Sequence, residues 1–462
     1  MADKTLRLDS KFSMIGAFWP PETPDAIIKG TLVSDEREIN FITAPEYEKP
    51  ISISPGLFSM PASTMIPALH GFTEEGLFTL CQLVEQGAPG CTNFALGQAI
   101  KARSFRVLSC LGGMHVDGIT DKCLTSAKYT FEGLSAWFPN AFDERWESDQ
   151  IVVTVPLEPR QIQDFCLLDS RVRISVKVVS ELTSGKDDPS RLSRSVASIE
   201  VESPGPESLA WYRRIGGRLE NLFSLLTGGS VAMDTMFVYR GVESGHLITK
   251  RTGSVRHFDR LQCVMCTPTQ LAQAIVTWSC LPAKFDSVES LALEVLRKSK
   301  LFVETEFLAL AQALEGFHRA TTNISATDRL TLRKVRKAIR LTLDAQALDD
   351  ELKEKICNSM MHAGDPTLAT RLAGLCQAIS APTLAGMGIV PEAFISSVVV
   401  TRNFYTHAGG TGKSKKKPVQ GKEMFLLNQR MRALLRGAML LHLGIPESQI
   451  AEVLAREATK WQ

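Results

Sequence analysis

Hydrophobic and polar residues alternate in short runs over roughly the first 200 residues of the chain. This period of two is typical of half-buried β-strands, and proline, glycine and Asp/Ser clusters separate the runs. The predicted strands are 27–33, 38–42, 76–80, 105–108, 151–155 and 172–179. Many short strands with turn signals between them predict a β-sandwich or a barrel-like module.

The spacing of hydrophobic residues changes to that of a helix near residue 207. Apolar positions from Leu209 to Leu226 recur every three or four residues, and Gly228-Gly229 is a natural helix end. A strand-like run at 235–239 follows, and beyond residue 268 the periodicity is helical. The predicted helices are 271–278, 287–300, 303–320, 330–343, 367–379, 394–406 and 422–443. Helices joined by short loops predict a helical bundle.

Together these patterns predict an α+β multidomain protein. A mainly β, sandwich-like N-terminal module is expected over residues 1–265, a helical connector over 266–300, and an all-α helical bundle over 301–462. The helix predicted at 330–343 stands out because it is both amphipathic and basic. Its basic residues are Arg333, Lys334, Arg336, Lys337 and Arg340.

Composition narrows the class of protein. A chain of 462 residues is expected to form two or three domains, and its net charge of +2 means that any nucleic-acid surface must be local. The first residues do not resemble a secretory signal, and no run approaches the roughly 18 apolar residues that a membrane helix needs. We therefore expect a cytoplasmic protein without a membrane segment.

Cysteine spacing raises the question of a metal. Cys263 and Cys266 have CxxC spacing, with His257 and Cys280 nearby. A structural zinc site usually has two close pairs of ligands, and this chain has one. The pattern favours buried free thiols over a metal site, and no cofactor is expected.

The second half of the stretch 401–417 resembles the end of a phosphate-binding loop. Residues 412–414 match the Gly-Lys-Ser of that loop, but His407 stands where its first glycine is required. The loop must also follow a strand, for which 397–400 is the candidate, and precede a helix. Three lysines and Pro418 follow instead, and both disfavour a helix N-terminus. The sequence therefore argues against a nucleotide-dependent switch.

The first half of the same stretch suggests RNA cleavage. Arg402 and His407 are five residues apart, which places them about 140° apart on an ideal helix, so they converge only if the helix ends near His407. A histidine with a pKa near 6.5 can take or give a proton near neutral pH, and an arginine can neutralise charge on a phosphorane. The spacing alone favours the alternative of a histidine near a helix end beside an arginine in a surface ion pair.

Positive charge is concentrated at the C-terminus. Residues 401–462 contain eleven Lys and Arg residues against four acidic residues, whereas the whole chain has a net charge of only +2. Lys413, Lys415, Lys416 and Lys417 form a basic loop that either contacts RNA phosphates or is simply solvated.

Several segments resemble the ApeA-like branch of the HEPN family. Residues 399–407 (VVTRNFYTH) resemble the HEPN catalytic signature, residues 307–318 resemble the first helix of that branch, and residues 368–375 with Arg371 resemble the next. Residues 16–20 and 30–32 are similar to the accompanying N-terminal domain. The lysine-rich insert after His407 departs from the family pattern.

This resemblance implies an anti-phage abortive-infection effector. Its helical domain would be a metal-independent endoribonuclease with Arg402 and His407 as catalytic residues and Asn403 as a polar support. Its β module would sense the trigger or restrain the nuclease. The substrate would be an RNA such as tRNA or mRNA, and the trigger would be a phage-derived protein. Two copies would form a homodimer or higher homo-oligomer with a composite site.

Two further residues and two further functions stay open at this stage. His318 is expected to be structural, whereas Glu315 either orients a catalytic partner or forms an ion pair. A catalytically silent HEPN protein that binds RNA or a protein partner is the main alternative function. Carbohydrate binding by the β module rests on fold analogy alone.

Overall fold

The computed structural model divides the chain into two compact units. The β unit comprises Met1–Phe223, Ser230–Phe258 and Thr267–Ser279, and the helical unit comprises Ser224–Gly229, Asp259–Cys266 and Cys280–Gln462. The structure describes residues 11–34, 38–44, 46–48, 65–87, 90–93, 98–138, 143–147, 150–154, 158–184, 189–248, 262–297, 301–322, 329–346, 348–359, 365–406 and 417–460.

The β unit is built from antiparallel strands. In chain order they are β1 (Phe12–Trp19), β2 (Ile28–Ser34), β3 (Ile39–Thr43), β4 (Glu46–Glu48), β5 (Met65–Thr73), β6 (Gly76–Gly87), β7 (Gly90–Asn93), β8 (Gln98–Lys101), β9 (Ser104–Gly112), β10 (Lys122–Phe131), β11 (Asp143–Glu147), β12 (Gln150–Thr154), β13 (Arg160–Leu167), β14 (Ser170–Ser184), β15 (Pro189–Ser208), β16 (Met233–Arg240) and β17 (Glu243–Ile248).

Six of these strands close into a barrel. Their order is β9-β3-β2-β1-β5-β6, and β6 pairs again with β9, so the ring has no free edge. Alternate residues point inward, and the rings of Phe18 and Phe41 meet in the interior with centroids 4.6 Å apart. Gly16 faces Gly30 across β1 and β2, and a Cβ on Gly30 would approach the Phe41 ring to 2.5 Å. Because glycine has no side chain, these two positions leave space for the aromatic residues of the barrel core.

The barrel sheet continues into a second set of strands. From β9 the order runs β17-β16-β10-β15-β14-β13. The helix α1 (Leu209–Thr227) follows β15, and inside the β unit the Tyr129 hydroxyl donates to the Tyr212 carbonyl oxygen at 2.8 Å. The helix α2 (Pro268–Ser279) packs against β13. The prediction of a mainly β N-terminal part is thus confirmed, and it contains a closed barrel.

The helical unit contains the remaining helices. They are α3 (Asp286–Leu296), α4 (Val303–Thr321), α5 (Arg329–Asp344), α6 (Asp350–Ser359), α7 (Leu368–Gln377), α8 (Ala381–Gly386), α9 (Pro391–Thr406), α10 (Gly421–His442) and α11 (Glu447–Thr459). The helix α4 is central, since it packs against α3, α7, α9 and α10. Its apolar stripe from Phe307 to Phe317 is buried, as a core-facing helix requires. The predicted helical C-terminal region is confirmed.

Candidate functional site

The helix α9 carries Arg402 at its C-terminal end. It begins at Pro391, a residue suited to the first helical turn, and Phe394, Val398 and Thr401 form its buried face. Residues 397–400 therefore belong to a helix and not to the strand that a phosphate-binding loop requires. The candidate strand for a nucleotide-binding loop is thus wrong.

Arg402 lines a groove formed by α3, α4 and α9. The groove has a volume of about 650 Å³, within the range of ligand-binding clefts. Its lining residues are Ser287, Val288, Leu291, Leu308, Ala311, Gln312, Glu315, Gly316, Arg319, Ala320, Arg402 and Thr406. Aliphatic side chains from α3 and α4 thus stand beside polar groups from α4 and α9. Such a site can hold a partly polar ligand.

The guanidinium of Arg402 is available to an anion. Arg402 is half-buried, and within the described residues its side chain has no hydrogen bond or ion pair. Its carbonyl oxygen accepts a hydrogen bond from the Thr406 hydroxyl at 2.9 Å. A cation without a counter-ion in a partly covered groove attracts negative charge more strongly than one in open water. Asn403, the predicted polar support, is exposed and does not line the groove.

A cluster of charged side chains from α4 and α7 adjoins Arg402. Glu315 forms an ion pair with Arg319 at 2.9 Å, and its carboxylate also lies 3.9 Å from Nε of the buried Arg371. Arg371 donates to the carbonyl oxygen of Pro366 at 3.0 Å. With Arg402 the cluster holds three guanidinium groups and one carboxylate. Its net positive charge favours an anionic ligand. Of the two interpretations of Glu315, the ion pair is the one that forms.

His318 has a structural role. It is buried, and Nδ1 lies 2.9 Å from the Thr322 hydroxyl. Burial, reinforced by the nearby Arg371 charge, lowers the pKa of His318, so the ring is neutral near pH 7. A neutral, enclosed imidazole suits packing between helices, as expected from the sequence.

The remaining predicted site residues lie between α9 and α10 in the sequence. His407, Lys413, Lys415 and Lys416 lie outside the described residues, and Lys417 is exposed. The amide of Val419 donates to the hydroxyl of the buried Thr401 at 3.0 Å. Val419 therefore lies next to Thr401, the residue that precedes Arg402. Both ends of the lysine-rich segment are close to the groove.

Three of the C-terminal arginines are engaged in ion pairs. The buried Arg432 pairs with Glu306 at 2.6 Å, and Arg456 pairs with Glu452 one turn away on α11. Arg436, only 3% exposed, pairs with Glu457 at 2.7 Å. Arg436 also donates to the carbonyl oxygens of Leu225, Leu226 and Gln262. Two of these pairs lie within residues 401–462 and already cancel in the charge count, so only Arg432, whose partner Glu306 lies outside that range, lowers the positive excess.

Cys263 and Cys266 are buried free thiols. Each sulfur lies within 3.8 Å of the Val264 carbonyl oxygen. Burial raises the pKa of Cys266 to about 12, so it is a thiol near pH 7. His257 lies outside the described residues, and among those described no three His, Cys, Asp or Glu side chains are arranged to hold a metal ion.

The fold and the groove define the class of protein: a strand-rich module followed in sequence by a helical bundle with an arginine-lined cleft. The Apea-like HEPN family matches residues 308–449, and the family ApeA N-terminal domain 1 matches residues 13–259. The second match alone spans more than half of the chain. The chain therefore belongs to the ApeA-like HEPN proteins, and the resemblance noted in its sequence is confirmed.

Membership of this family supports a role as a HEPN effector in anti-phage defence. No curated protein and no solved structure gives a significant match to the chain. Within the described part of the chain, no helix has both the length and the apolar character needed to cross a membrane.

Proposed function

We propose that the chain is a metal-independent endoribonuclease whose catalytic residues are Arg402 and His407. The observation that carries this proposal is the Arg402 guanidinium, which lines a groove of about 650 Å³ without a counter-ion among the described residues. His407 follows the groove residue Thr406 directly in the sequence. An imidazole and a guanidinium brought together at this groove would be suited to phosphodiester chemistry.

In this proposal the two side chains share the work of one cleavage. His407 takes the proton of the ribose 2′-hydroxyl or gives one to the departing 5′-oxygen, a contribution of about 10²–10⁴ in rate. Arg402 donates hydrogen bonds to the phosphorane oxygens, whose charge grows in the transition state. Asn403 and Lys413, Lys415, Lys416 and Lys417 would support RNA binding beside the pair.

A composite site completes the proposal. Two copies of the chain would bring their Arg402 and His407 residues together, so that one subunit supplies the base and the other the acid. The β module, residues 1–265, would hold this nuclease in check until a phage-derived protein relieves it, with residues 266–300 as connector. The RNA substrate would be tRNA or mRNA.

The decisive experiment is RNA cleavage in EDTA by the purified full-length chain. With phage lysate present to relieve the restraint, wild type should cleave, and Arg402→Ala and His407→Ala should each lose a factor of about 10² or more. Arg402→Lys should also be impaired, because an ammonium cannot form the bidentate contact. The matched control Arg430→Ala, an exposed arginine of α10 outside the groove, should behave as wild type.

The same variants distinguish the alternative of a catalytically silent binding protein. If wild type stays as inactive as Arg402→Ala on total RNA, with and without phage lysate, cleavage is refuted and binding is the function. Mixing wild type with an excess of the Arg402→Ala/His407→Ala chain tests the composite site. Mixed dimers keep only one of the two histidines and should lose cleavage, so activity that stays proportional to the wild-type share would contradict a shared site.

A further inference from the structure

The exposed face of α5 carries a line of basic residues that the groove does not use. Three arginines on this face, Arg333, Arg336 and Arg340, are three and four residues apart. On a helix this spacing keeps them within about 60° of one another over about 10 Å. Lys337 extends the same face. We call these four residues the basic stripe.

The basic stripe has no acidic partners. Within the described residues, none of its four side chains forms a hydrogen bond or an ion pair. Arg333, Lys337 and Arg340 are exposed, and Arg336 is partly exposed. Over residues 329–344 the sequence contains six basic residues, and its one acidic residue is Asp344 at the last position.

Other surface helices of the helical unit arrange their charges differently. On α4, α6 and α11 a basic residue pairs with an acid one turn earlier, as in Arg319–Glu315, Lys355–Glu351 and Arg456–Glu452. Like charges at this spacing destabilise a helix, whereas opposite charges stabilise it. Helix α5 therefore retains a repulsive arrangement that an external anion would relieve.

We infer that the basic stripe binds the phosphodiester backbone of RNA and guides it to the cleavage site. This inference rests on the proposed ribonuclease function, because its ligand is the substrate of that reaction. Guanidinium groups repeated along one line suit a ligand with repeated anionic phosphates and give contacts that do not depend on base sequence. The chain between α4 and α5 is short, so Arg329 lies at most about 28 Å from Thr321, at the end of the groove helix α4.

A membrane surface fits the stripe less well than RNA does. A basic helix on a bilayer needs a continuous free apolar face. Helix α5 packs against α6, where Cys357 is buried and Ile339 and Leu343 of α5 are half-buried. Among the described side chains of α5, Ile339 and Leu343 are thus partly covered. The exposed apolar surface consists of Val335 and Leu341 with Ala338, which do not form a continuous face, whereas the basic side of the helix is open.

The test compares two variants of the full-length chain that each lose three positive charges. The stripe variant is Arg333→Gln/Arg336→Gln/Arg340→Gln, since glutamine preserves helix propensity. The control variant is Lys29→Gln/Arg160→Gln/Arg214→Gln, three exposed basic residues of the β unit. Both are made in the Arg402→Ala background so that the probe, a fluorescein-labelled 20-nucleotide poly(U), stays intact during anisotropy titrations. Unchanged circular dichroism verifies folding.

The stripe variant should bind poly(U) more weakly than its parent chain, and its affinity should depend less steeply on salt concentration. Each phosphate contact to a single strand contributes about 0.7 to the slope of log K against log salt, so three contacts lower the slope by about 2. At 0.1 M salt this corresponds to roughly 100-fold weaker binding. The control variant should keep the affinity and slope of the parent chain.

Several results would overturn the inference. One is a stripe variant with unchanged affinity and slope. Another is an equal loss in the control variant or an absence of poly(U) binding by the parent chain. Displacement of poly(U) by polyglutamate at equal charge concentration would indicate an acidic protein partner instead.

Cleavage assays separate this inference from the proposed nuclease. Stripe-dependent binding by a chain that never cleaves RNA would support the RNA surface and refute the nuclease. The stripe variant with Arg402 intact is also assayed at RNA concentrations below KM. A cleavage rate equal to that of wild type would refute the RNA-binding role of the basic stripe without contradicting the proposed nuclease.

Discussion

Replacement of Arg436 tests whether the C-terminal arginines hold the bundle together or bind RNA. In Arg436→Met, Glu457 loses its buried partner, and the carbonyl oxygens of Leu225, Leu226 and Gln262 lose the Arg436 donor, although Leu226 keeps the bond from the Val264 amide. Removing one member of a buried ion pair costs about 3–5 kcal/mol. Each buried carbonyl left without a donor would cost about 1–3 kcal/mol. A cavity of about 40 Å³ beside the guanidinium can admit a water that restores part of these bonds. We therefore expect a loss of about 3–5 kcal/mol.

Differential scanning calorimetry of the full-length chain measures this loss. For a unit of about 200 residues, 3–5 kcal/mol corresponds to a fall in Tm of roughly 6–20 °C. A double-mutant cycle with Glu457→Gln should give a coupling energy of about 1.5–3 kcal/mol, the value of a hydrogen bond to a charged group. The exposed Arg430→Met is the matched control and should shift stability by no more than about 0.5 kcal/mol.

RNA binding supplies the second half of the test. Arg436→Met should bind poly(U) with the same salt slope as wild type at a temperature where both are folded, because Arg436 is committed to protein partners. A Tm within 2 °C of wild type would refute the structural role (a shift that small is below about 1 kcal/mol). A loss of RNA affinity as large as that of the stripe variant would place Arg436 on the RNA surface and contradict its burial.

Two further predictions concern pH and the barrel core. Burial lowers the pKa of His70, His318 and His442 below the ordinary 6.5, so the unfolded chain binds protons first on acidification. Stability should be constant above about pH 6.5 and fall below it towards the lowered native pKa values, and a urea midpoint that rises between about pH 6.5 and pH 5 would contradict this. Gly30→Ala should cost about 1–3 kcal/mol by thermal unfolding, because its Cβ meets the Phe41 ring at 2.5 Å. Gly217→Ala on α1, whose Cβ has open space, should instead be neutral or stabilising, and equal losses in both would refute the packing explanation.

Elements with continuous periodicity were predictable from the sequence alone. The predicted helix 303–320 corresponds to Val303–Thr321, and the predicted strand 172–179 lies within Ser170–Ser184. The helix α6 was missed because half of its ten residues are charged and few are apolar. The strand β15 was missed because its proline and glycine residues look like turn signals. Closure of the barrel depends on the pairing of β6 with β9, and local periodicity carries no information about that pairing.

The candidate site was predictable only where its residues are close in sequence. Arg402 was singled out by the resemblance of residues 399–407 to the HEPN signature, since its spacing to His407 alone favoured the alternative, but Gln312 and Arg319 were missed because they reach the groove from α4, more than 80 residues earlier. Arg319 had a local signal, since it follows Glu315 by one helical turn. The charge count failed for a similar reason. Arg432 pairs with Glu306, which is 126 residues away in the sequence, and the two are brought together only by the packing of the helices.

Ion pairing divides the basic residues of the helical unit into two groups with different capacities. Arg319, Arg432, Arg436 and Arg456 already have carboxylate partners, so binding a phosphate there would cost an existing ion pair. Arg402, Lys417 and the basic stripe have no such partner among the described residues. Unpaired residues such as these can add net attraction for RNA, and the ones named lie at the groove, just after residue 416 and along α5. A substrate held by all three would be bound through its backbone, so any selectivity for one RNA must come from its shape or from access to the groove.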